Sequence, residues 1–223
     1  MNTSLTAHTP DPQSSRDRRR FLTRLAALGA TFGLVSPRAA AASAASAVDA
    51  MSPGVADDPW MSRLSGKHRV VFHSHMPTDA LAIRWALTFL DTQKNTYGLT
   101  DRDCGVVVGL NGRSIGWLFN DALWAKYPTI GEVMGTPASR NPQTALVASL
   151  IPRGVIILAC NNSLRASGSR FLPDPQRRDA AASAAFYEEA RANLLPGVET
   201  VPAMIVTLQQ AQDRGCRYIY AGG

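Results

Sequence analysis

The 223-residue chain is poor in cysteine, aromatic residues and charge. Its three cysteines include no Cys-x-x-Cys pair, which argues against thioredoxin-like dithiol exchange. It also has no phosphate-loop or Gly-x-Gly-x-x-Gly fingerprint, no Ser-His-Asp motif and no conspicuous carboxylate pair. With 18% charged and 45% hydrophobic residues, the composition is that of a folded globular protein rather than a disordered or repetitive one.

The positive charge is concentrated at the beginning of the chain. Of the formal net charge of +6, residues 1–47 contribute +4, from six arginines and two aspartates. The remaining 17 basic and 15 acidic residues leave the body at +2. The body therefore lacks the basic surface expected of a nucleic-acid-binding domain, and no nucleic-acid partner is predicted.

Residues 1–47 have the pattern of an export signal. An arginine-rich segment is followed by an apolar run from Leu25 to Val35 and by small-residue cleavage sites at Ala44 and Ala47. Arg18 to Leu22 resemble the core of twin-arginine signals, which direct folded proteins to the periplasm. The apolar run is too short to span a bilayer, so no stable membrane span is expected after cleavage. The alternative is an uncleaved anchor helix or a disordered tail.

Residues 48–66 are predicted to be a linker, and residues 67–223 a single domain. Within the linker, Trp60, Met61 and Leu64 are spaced to form a short amphipathic turn that closes onto that domain.

Short apolar runs alternate with helical patterns from residue 69 onward, which predicts βα units around a parallel sheet. The expected fold is a three-layer α/β/α domain with a mainly parallel five-stranded sheet. The predicted strands cover 70–73, 105–110, 154–159, 198–201 and 217–220. The predicted helices cover 80–95, 115–126, 143–150, 179–193 and 202–214, with loops at 128–142 and 168–178.

The carboxyl ends of parallel strands meet at one edge of a sheet, where ligands bind. This rule places four segments on one rim: His73 with His75, 111–113, 160–165 and 200–204. Cys104 and Cys216 precede their strands and belong to the opposite edge, where they form either a disulfide or two buried thiols.

Cys160 is the candidate nucleophile because it follows an apolar strand and precedes a short helix. A helix N-terminus favours a thiolate, so Cys160 is expected to have a depressed pKa and ready access. Asn162 is a candidate partner that stabilises the thiolate, and Arg165 is a nearby cation. His73, Asn111 and Arg165 are candidate ligand-binding residues on the same rim.

Several segments together resemble the DsrE/DsrF-like family of sulfur-relay proteins over about residues 68–221. They are Ala159 to Leu164, Gly197 to Ala203 and Gly215 to Tyr220. The segments 66–72, 120–127 and 140–142 further resemble an exported branch of that family. The resemblance implies a homo- or hetero-oligomer and a cysteine, at the position of Cys160, that carries a persulfide in the cytoplasmic members of the family. For this exported chain, a homo-oligomer and a periplasmic sulfur or redox partner are expected. An export signal and two insertions, at 128–142 and 166–193, depart from the family pattern.

Two alternatives to a periplasmic thiol or persulfide carrier remain open from the sequence. One is a non-catalytic binding or accessory module that uses the same rim. The other is a metal site formed by His73, His75 and Cys160, whose imidazole and thiolate groups suit zinc or copper. No cofactor is expected. Trp117, Leu118 and Trp124 are predicted to lie in the core or at an oligomer contact.

Overall fold

The computed structural model describes residues 58–222. They form one five-stranded sheet, all parallel, with the strand order β4-β3-β2-β1-β5. The strands are β1 (His68–Ser74), β2 (Cys104–Leu110), β3 (Ile156–Cys160), β4 (Val198–Val201) and β5 (Arg217–Tyr220). The predicted fold class, a three-layer α/β/α domain with a parallel five-stranded sheet, is confirmed.

Eight α-helices are defined in residues 58–222. They are α1 (Leu81–Tyr97), α2 (Asp121–Lys126), α3 (Thr129–Val133), α4 (Thr144–Leu150), α5 (Asn161–Arg165), α6 (Gly168–Phe171), α7 (Ala180–Ala192) and α8 (Met204–Asp213). Short 3-10 helices include Pro59–Arg63 and Ser114–Leu118.

Alternate strand residues point into two separate cores, because successive side chains of a strand face opposite sides of the sheet. Val70, Val106 and Ile157 face the side covered by α1 to α7. Val71, Val107 and Leu158 face the side covered by α8 and the Pro59–Arg63 helix. We call these the α1 face and the α8 face.

The Pro59–Arg63 helix belongs to the folded domain. Trp60, Met61 and Leu64 are buried in the core of the α8 face, as the amphipathic pattern predicted. The packed residues at the end of the segment 48–66 are thus the amphipathic turn that was predicted to close onto the domain. The boundaries predicted before residue 58, including the signal peptide, lie outside the described residues.

The predicted helix 115–126 is interrupted at Phe119 and Asn120. Phe119 is extended and bridges Leu194, and the Asn120 side chain caps α2 by accepting a hydrogen bond from the Leu123 amide. The two predicted loops, at 128–142 and 168–178, each contain a short helix, α3 and α6 respectively.

The buried residues also decide two alternatives that the sequence left open. Trp117, Leu118 and Trp124 are at most 2% exposed, so they are core residues and not an oligomer contact. Cys104 and Cys216 are free, buried thiols that lie in the cores of opposite faces, and β1 separates β2 from β5. This arrangement leaves them unpaired, as buried thiols.

None of the helices in residues 58–222 is both long and apolar enough to cross a membrane.

Candidate functional site

The four segments predicted to share a rim are in contact at the carboxyl edge of the sheet. The Nε2 atom of His73 lies 3.1 Å from Oδ1 of Asn111, which links the ends of β1 and β2. The Gly112 amide donates to Oγ of Ser163 at 2.8 Å, and the Met204 amide donates to Sγ of Cys160 at 3.4 Å. The rim prediction is confirmed by these contacts.

The turn after β2 is held against the end of β1. The amide of Arg113 donates to the carbonyl of His75, and the Ser114 hydroxyl bonds the carbonyls of Ser74 and Asn111. Gly112 has a φ of +58°, and a Cβ atom there would lie 2.6 Å from the His75 carbonyl oxygen. Only glycine tolerates both the positive φ and the close approach to this carbonyl oxygen. The turn therefore holds the neighbouring Asn111 in a fixed position.

Cys160 is the last residue of β3 and points into the α8 face. Its sulfur receives the first amide of the ten-residue helix α8, whose N-terminal amides carry partial positive charge. The expectation of ready access is wrong, because Cys160 is only 4% exposed and packs in the same core as Met204 and Val201. The stabilising helix was also misidentified, since the sulfur accepts from α8 and not from α5, which follows it in sequence.

Asn162 and Arg165 are not the partners of the thiol. Asn162 is exposed, and within residues 58–222 its side chain makes no hydrogen bond to Cys160. The guanidinium of Arg165 instead lies 5.5 Å from the ring centre of Tyr187. Tyr187 in turn donates its hydroxyl to Oδ1 of Asn161 at 2.9 Å, which ties α5 to α7.

Arg170, which was not predicted from the sequence, is a cation within electrostatic reach of the thiol. Burial and the charge of Arg113 lower the pKa of the Arg170 guanidinium, and Cys160 raises it, so the three groups interact electrostatically. Arg170 lies on α6 and donates to the carbonyl of Ser163 at 3.1 Å. The proximity of Arg170 to Cys160 could not be predicted from helical periodicity. Arg170 lies ten residues after Cys160, in a segment that was expected to be a loop.

His73 is buried and has a hydrogen-bond partner at each ring nitrogen. Since Asn111 offers an oxygen, Nε2 donates, and Nδ1 accepts from the Tyr218 hydroxyl at 2.9 Å. Burial lowers the pKa of His73, the bond with Asn111 opposes this, and His75 lowers it further. The candidate residues His73 and Asn111 are thus brought together as one neutral, hydrogen-bonded pair.

The edge strand β5 supplies two tyrosines that the sequence analysis did not assign to the rim. The hydroxyl of Tyr220 lies 2.8 Å from Nδ1 of His75, and the two rings are stacked with their centres 5.4 Å apart. Tyr218 and Tyr220 are 43% and 38% exposed. Their alternation in β5, beside the alternating histidines of β1, is the pattern from which this cluster could have been found.

The metal set of His73, His75 and Cys160 is not assembled. Among residues 58–222 no group of three histidine, cysteine or acidic side chains is placed to hold a metal ion. The two histidines instead face the tyrosines of β5, while Cys160 lies two strands away on β3.

The other two cysteines are in environments that disfavour a thiolate. Burial raises the pKa of Cys216 to about 11, with the charge of Arg69 opposing it. Burial, together with Asp103 and Asp101, also raises the pKa of Cys104. Of the three thiols, only that of Cys160 accepts a hydrogen bond from a backbone amide within the described part of the chain.

Comparison with known proteins gives no family and no function. No family model matches the chain, and no curated protein matches it. Among solved structures, it is similar to MTH1491, a protein of unknown function from Methanobacterium thermoautotrophicum, with 20% sequence identity and a TM-score of 0.43. That similarity covers 69% of this chain and 99% of the other.

Proposed function

We propose that this protein is an exported thiol-based sulfur carrier, in which Cys160 takes up and passes on a persulfide sulfur. The observation that carries the proposal is the hydrogen bond from the Met204 amide to the Cys160 sulfur at the N-terminus of α8. A backbone donor at a helix N-terminus stabilises negative charge on sulfur. Arg170 adds a positive charge within electrostatic reach.

The transfer step is an exchange of one sulfur atom between two thiols. The Cys160 thiolate attacks the outer sulfur of a donor persulfide, R–S–SH, and a bond forms between that sulfur and Sγ. The S–S bond of the donor breaks at the same time, and the donor leaves as the thiolate R–S⁻. The reactants and the products each comprise one thiolate and one persulfide, so the step needs no added oxidant or reductant.

Transfer also needs a movement at the N-terminus of α8. Cys160 is 4% exposed, and the side chain of Met204 fills the space above Gly109, where an added Cβ would lie 2.6 Å from the Met204 sulfur. A donor persulfide therefore reaches Sγ only when the first turn of α8 lifts away. Ile205 and Val206 in that turn are exposed, so the contacts that this movement breaks are those of the buried Met204 and Thr207.

Intact mass measured on the full chain after incubation with a small-molecule persulfide tests the proposal. We expect one added sulfur, removed by a reducing thiol, and retained in Cys216→Ser but absent in Cys160→Ser. Ser is close to Cys in size, so both variants are expected to fold. A persulfide that maps to Cys104 or Cys216, or no added sulfur at all, contradicts the proposal.

The second candidate is a binding module without turnover, and the cluster of His73, His75, Tyr218 and Tyr220 favours it. The two tyrosine rings are partly exposed at the edge of the sheet, while their hydroxyls are held by the histidines. Such fixed aromatic surfaces bind partners at low entropic cost. If Cys160→Ser leaves the biological activity of the exported protein unchanged and Tyr220→Ala abolishes it, the binding module replaces the carrier.

A further inference from the structure

Two arginines converge on Ser163, in the short helix that follows the reactive thiol. The Ser163 carbonyl accepts a hydrogen bond from Nη1 of Arg170 at 3.1 Å. The Ser163 hydroxyl accepts the amide of Gly112 at 2.8 Å, which places Arg113 beside the same helix. Ser163 is buried and lies three residues after Cys160 on α5. The turn after β2 and the helix α6 therefore each bring one arginine to the part of the rim that follows β3.

The two guanidinium groups are close enough to repel each other. Burial is the main cause of the lowered pKa of Arg170, and the positive charge of Arg113 lowers it further. Cys160 acts in the opposite direction, and no carboxylate is among the groups that shift this pKa. The ion pairs formed by the described side chains include neither arginine. Their repulsion is therefore not offset by an acidic side chain in the described part of the chain.

The rim segments themselves contain no acidic residue. The segments 73–75, 111–113, 160–165 and 200–204, together with α6, contain three arginines and no aspartate or glutamate. With neutral histidines, their formal charge of +3 is larger than the +2 of the whole body. The third arginine, Arg165, stacks on Tyr187. The positive charge that remains unpaired at this edge is therefore that of Arg113 and Arg170.

The two arginines are held in different ways. Arg170 is half-buried, and its bond to the Ser163 carbonyl orients the guanidinium without neutralising its charge. That bond uses one of the five N–H donors of the guanidinium. Arg113 is exposed, but its amide donates to the His75 carbonyl at 2.9 Å, which fixes its backbone. An anion arriving from solvent thus meets one accessible cation and one that is already oriented, which lowers the entropic cost of binding.

We propose that Arg113 and Arg170 select the sulfur donor of Cys160, a small persulfide whose thiol carries a carboxylate. This inference rests on the proposed function and names its substrate class. The carboxylate accepts charge-assisted hydrogen bonds from the guanidinium groups, and the outer sulfur meets Sγ when the first turn of α8 lifts. Because Cys160 is only 4% exposed, a small donor fits the opening better than the surface of a folded protein does.

The persulfides of N-acetylcysteine and of N-acetylcysteine amide test this selection, because the two donors differ only in the carboxylate. Intact mass follows sulfur uptake by the full chain, and each rate is divided by that of the same donor with the urea-unfolded chain. This division removes the difference in intrinsic reactivity between the donors. We expect the native protein to react about tenfold or more faster with the carboxylate donor, because electrostatic attraction raises association rates by such factors. The preference is expected to decrease at higher salt.

Three double variants separate charge from structure. Arg113→Gln/Arg170→Gln is expected to react equally fast with both donors, and glutamine can still donate to the Ser163 carbonyl. Arg113→Lys/Arg170→Lys keeps the charge and is expected to retain the preference. The matched control Lys67→Gln/Arg102→Gln removes two positive charges from exposed positions just before β1 and β2, at the opposite edge of the sheet. It is expected to retain the full preference for the carboxylate donor.

A preference that is lost in the glutamine variant and kept in the lysine variant and the control supports the selection. Equal corrected rates for the two donors in the native protein overturn it, and the carrier proposal then still stands. A preference that survives in the glutamine variant, or that the control loses to the same extent, also overturns it. If neither donor transfers sulfur to the native protein, the carrier proposal fails together with this inference, so the two failures are distinguishable.

Discussion

The immediate surroundings of each sulfur set the reactivity of the three thiols, since the exposure of all three is similarly low. Burial raises the pKa of Cys216 to about 11 and also raises that of Cys104, whereas the Cys160 sulfur accepts the Met204 amide. We expect a limiting amount of iodoacetamide at neutral pH to label Cys160 first. Peptide mass mapping at short reaction times measures the order.

Cys160→Ser is the control for this order of labelling. It is expected to remove the early adduct without increasing the labelling of Cys104 or Cys216. If either of those residues reacts first in the native protein, or if Cys160 reacts only after unfolding, the carrier proposal fails.

His73 predicts a dependence of stability on pH. Its pKa lies below the ordinary value of 6.5 in the folded state, so the unfolded chain binds a proton more readily. The neutral state of His73 therefore contributes to the free energy of unfolding. This contribution is complete above pH 6.5 and decreases as the pH falls from there toward the folded-state pKa. Each unit of pKa difference corresponds to about 1.4 kcal/mol.

Urea unfolding of the wild type and of His73→Gln at pH 7 and at pH 5 measures this contribution. The wild type is expected to lose more stability than the variant between the two pH values. Equal losses would show that His73 does not carry the effect.

The site was only partly predictable because sequence order specifies which strand end a residue follows, but not which helix packs over it. His73, Asn111 and Cys160 were placed on the correct rim by that rule. The donor to Cys160 comes from Met204, 44 residues later in the chain, and the nearby cation Arg170 comes from a segment predicted as a loop. Such partners depend on tertiary packing, which periodicity does not encode.

At the scale of elements, Asn141 holds together the segment between the Ser114–Leu118 helix and α4. Its buried Nδ2 donates to the carbonyls of Trp117 and Phe119, at 2.8 and 2.7 Å, and its Oδ1 accepts the Gln143 amide. Asn141→Ala leaves these buried groups without partners. We expect a loss of about 2–4 kcal/mol in the free energy of unfolding.

The midpoint of urea unfolding checks this value, with Arg140→Ala as the neighbouring exposed control. The control is expected to change stability by less than about 0.5 kcal/mol. A loss in Asn141→Ala as small as that of the control would contradict the role given to this side chain.

The strands and the long helices were predictable because each has a strong local pattern. The apolar runs at 105–110 and 154–159 and the amphipathic helix after residue 80 are examples. The break at Phe119 was not, since Trp117, Leu118, Leu123 and Trp124 have helical spacing across it. The bridge to Leu194 and the bonds from Asn141 override that spacing, and both come from distant parts of the chain.

At the scale of the whole molecule, we expect the chain to associate with itself. The edge strand β5 exposes Tyr218, Ile219 and Tyr220, and Ile205 on α8 is 79% exposed. Unpaired edge strands and exposed apolar side chains are commonly covered by a second copy. Light scattering at micromolar concentration is expected to give at least a dimer mass, and a lower mass for Ile205→Lys.

A monomer mass for the wild type would contradict self-association. The self-association surface formed by β5 and Ile205 replaces the oligomer contact that the sequence suggested at Trp117 and Trp124, because these two tryptophans lie in the core. Variants of those tryptophans would test folding rather than assembly.

Export by the twin-arginine route is a prediction about residues 1–47, which precede the described part of the chain. Replacing Arg18 and Arg19 together by Lys is expected to reduce the periplasmic fraction strongly, because the receptor reads the arginine pair. Arg24→Lys keeps the pair and serves as the control. Cell fractionation measures both, and N-terminal sequencing of the exported protein should begin near Ala45 or Val48.

The strand order has a consequence for the timing of folding. β5 is the last strand of the described residues, yet it pairs with β1, the first of them, and the Ala221 amide donates to the His73 carbonyl at 2.7 Å. During synthesis, the edge of β1 that β5 covers therefore stays open until β5 has left the ribosome. The sheet, and with it the His73 cluster, is completed only by this strand. An export pathway that accepts only folded proteins would act after β5 has paired with β1.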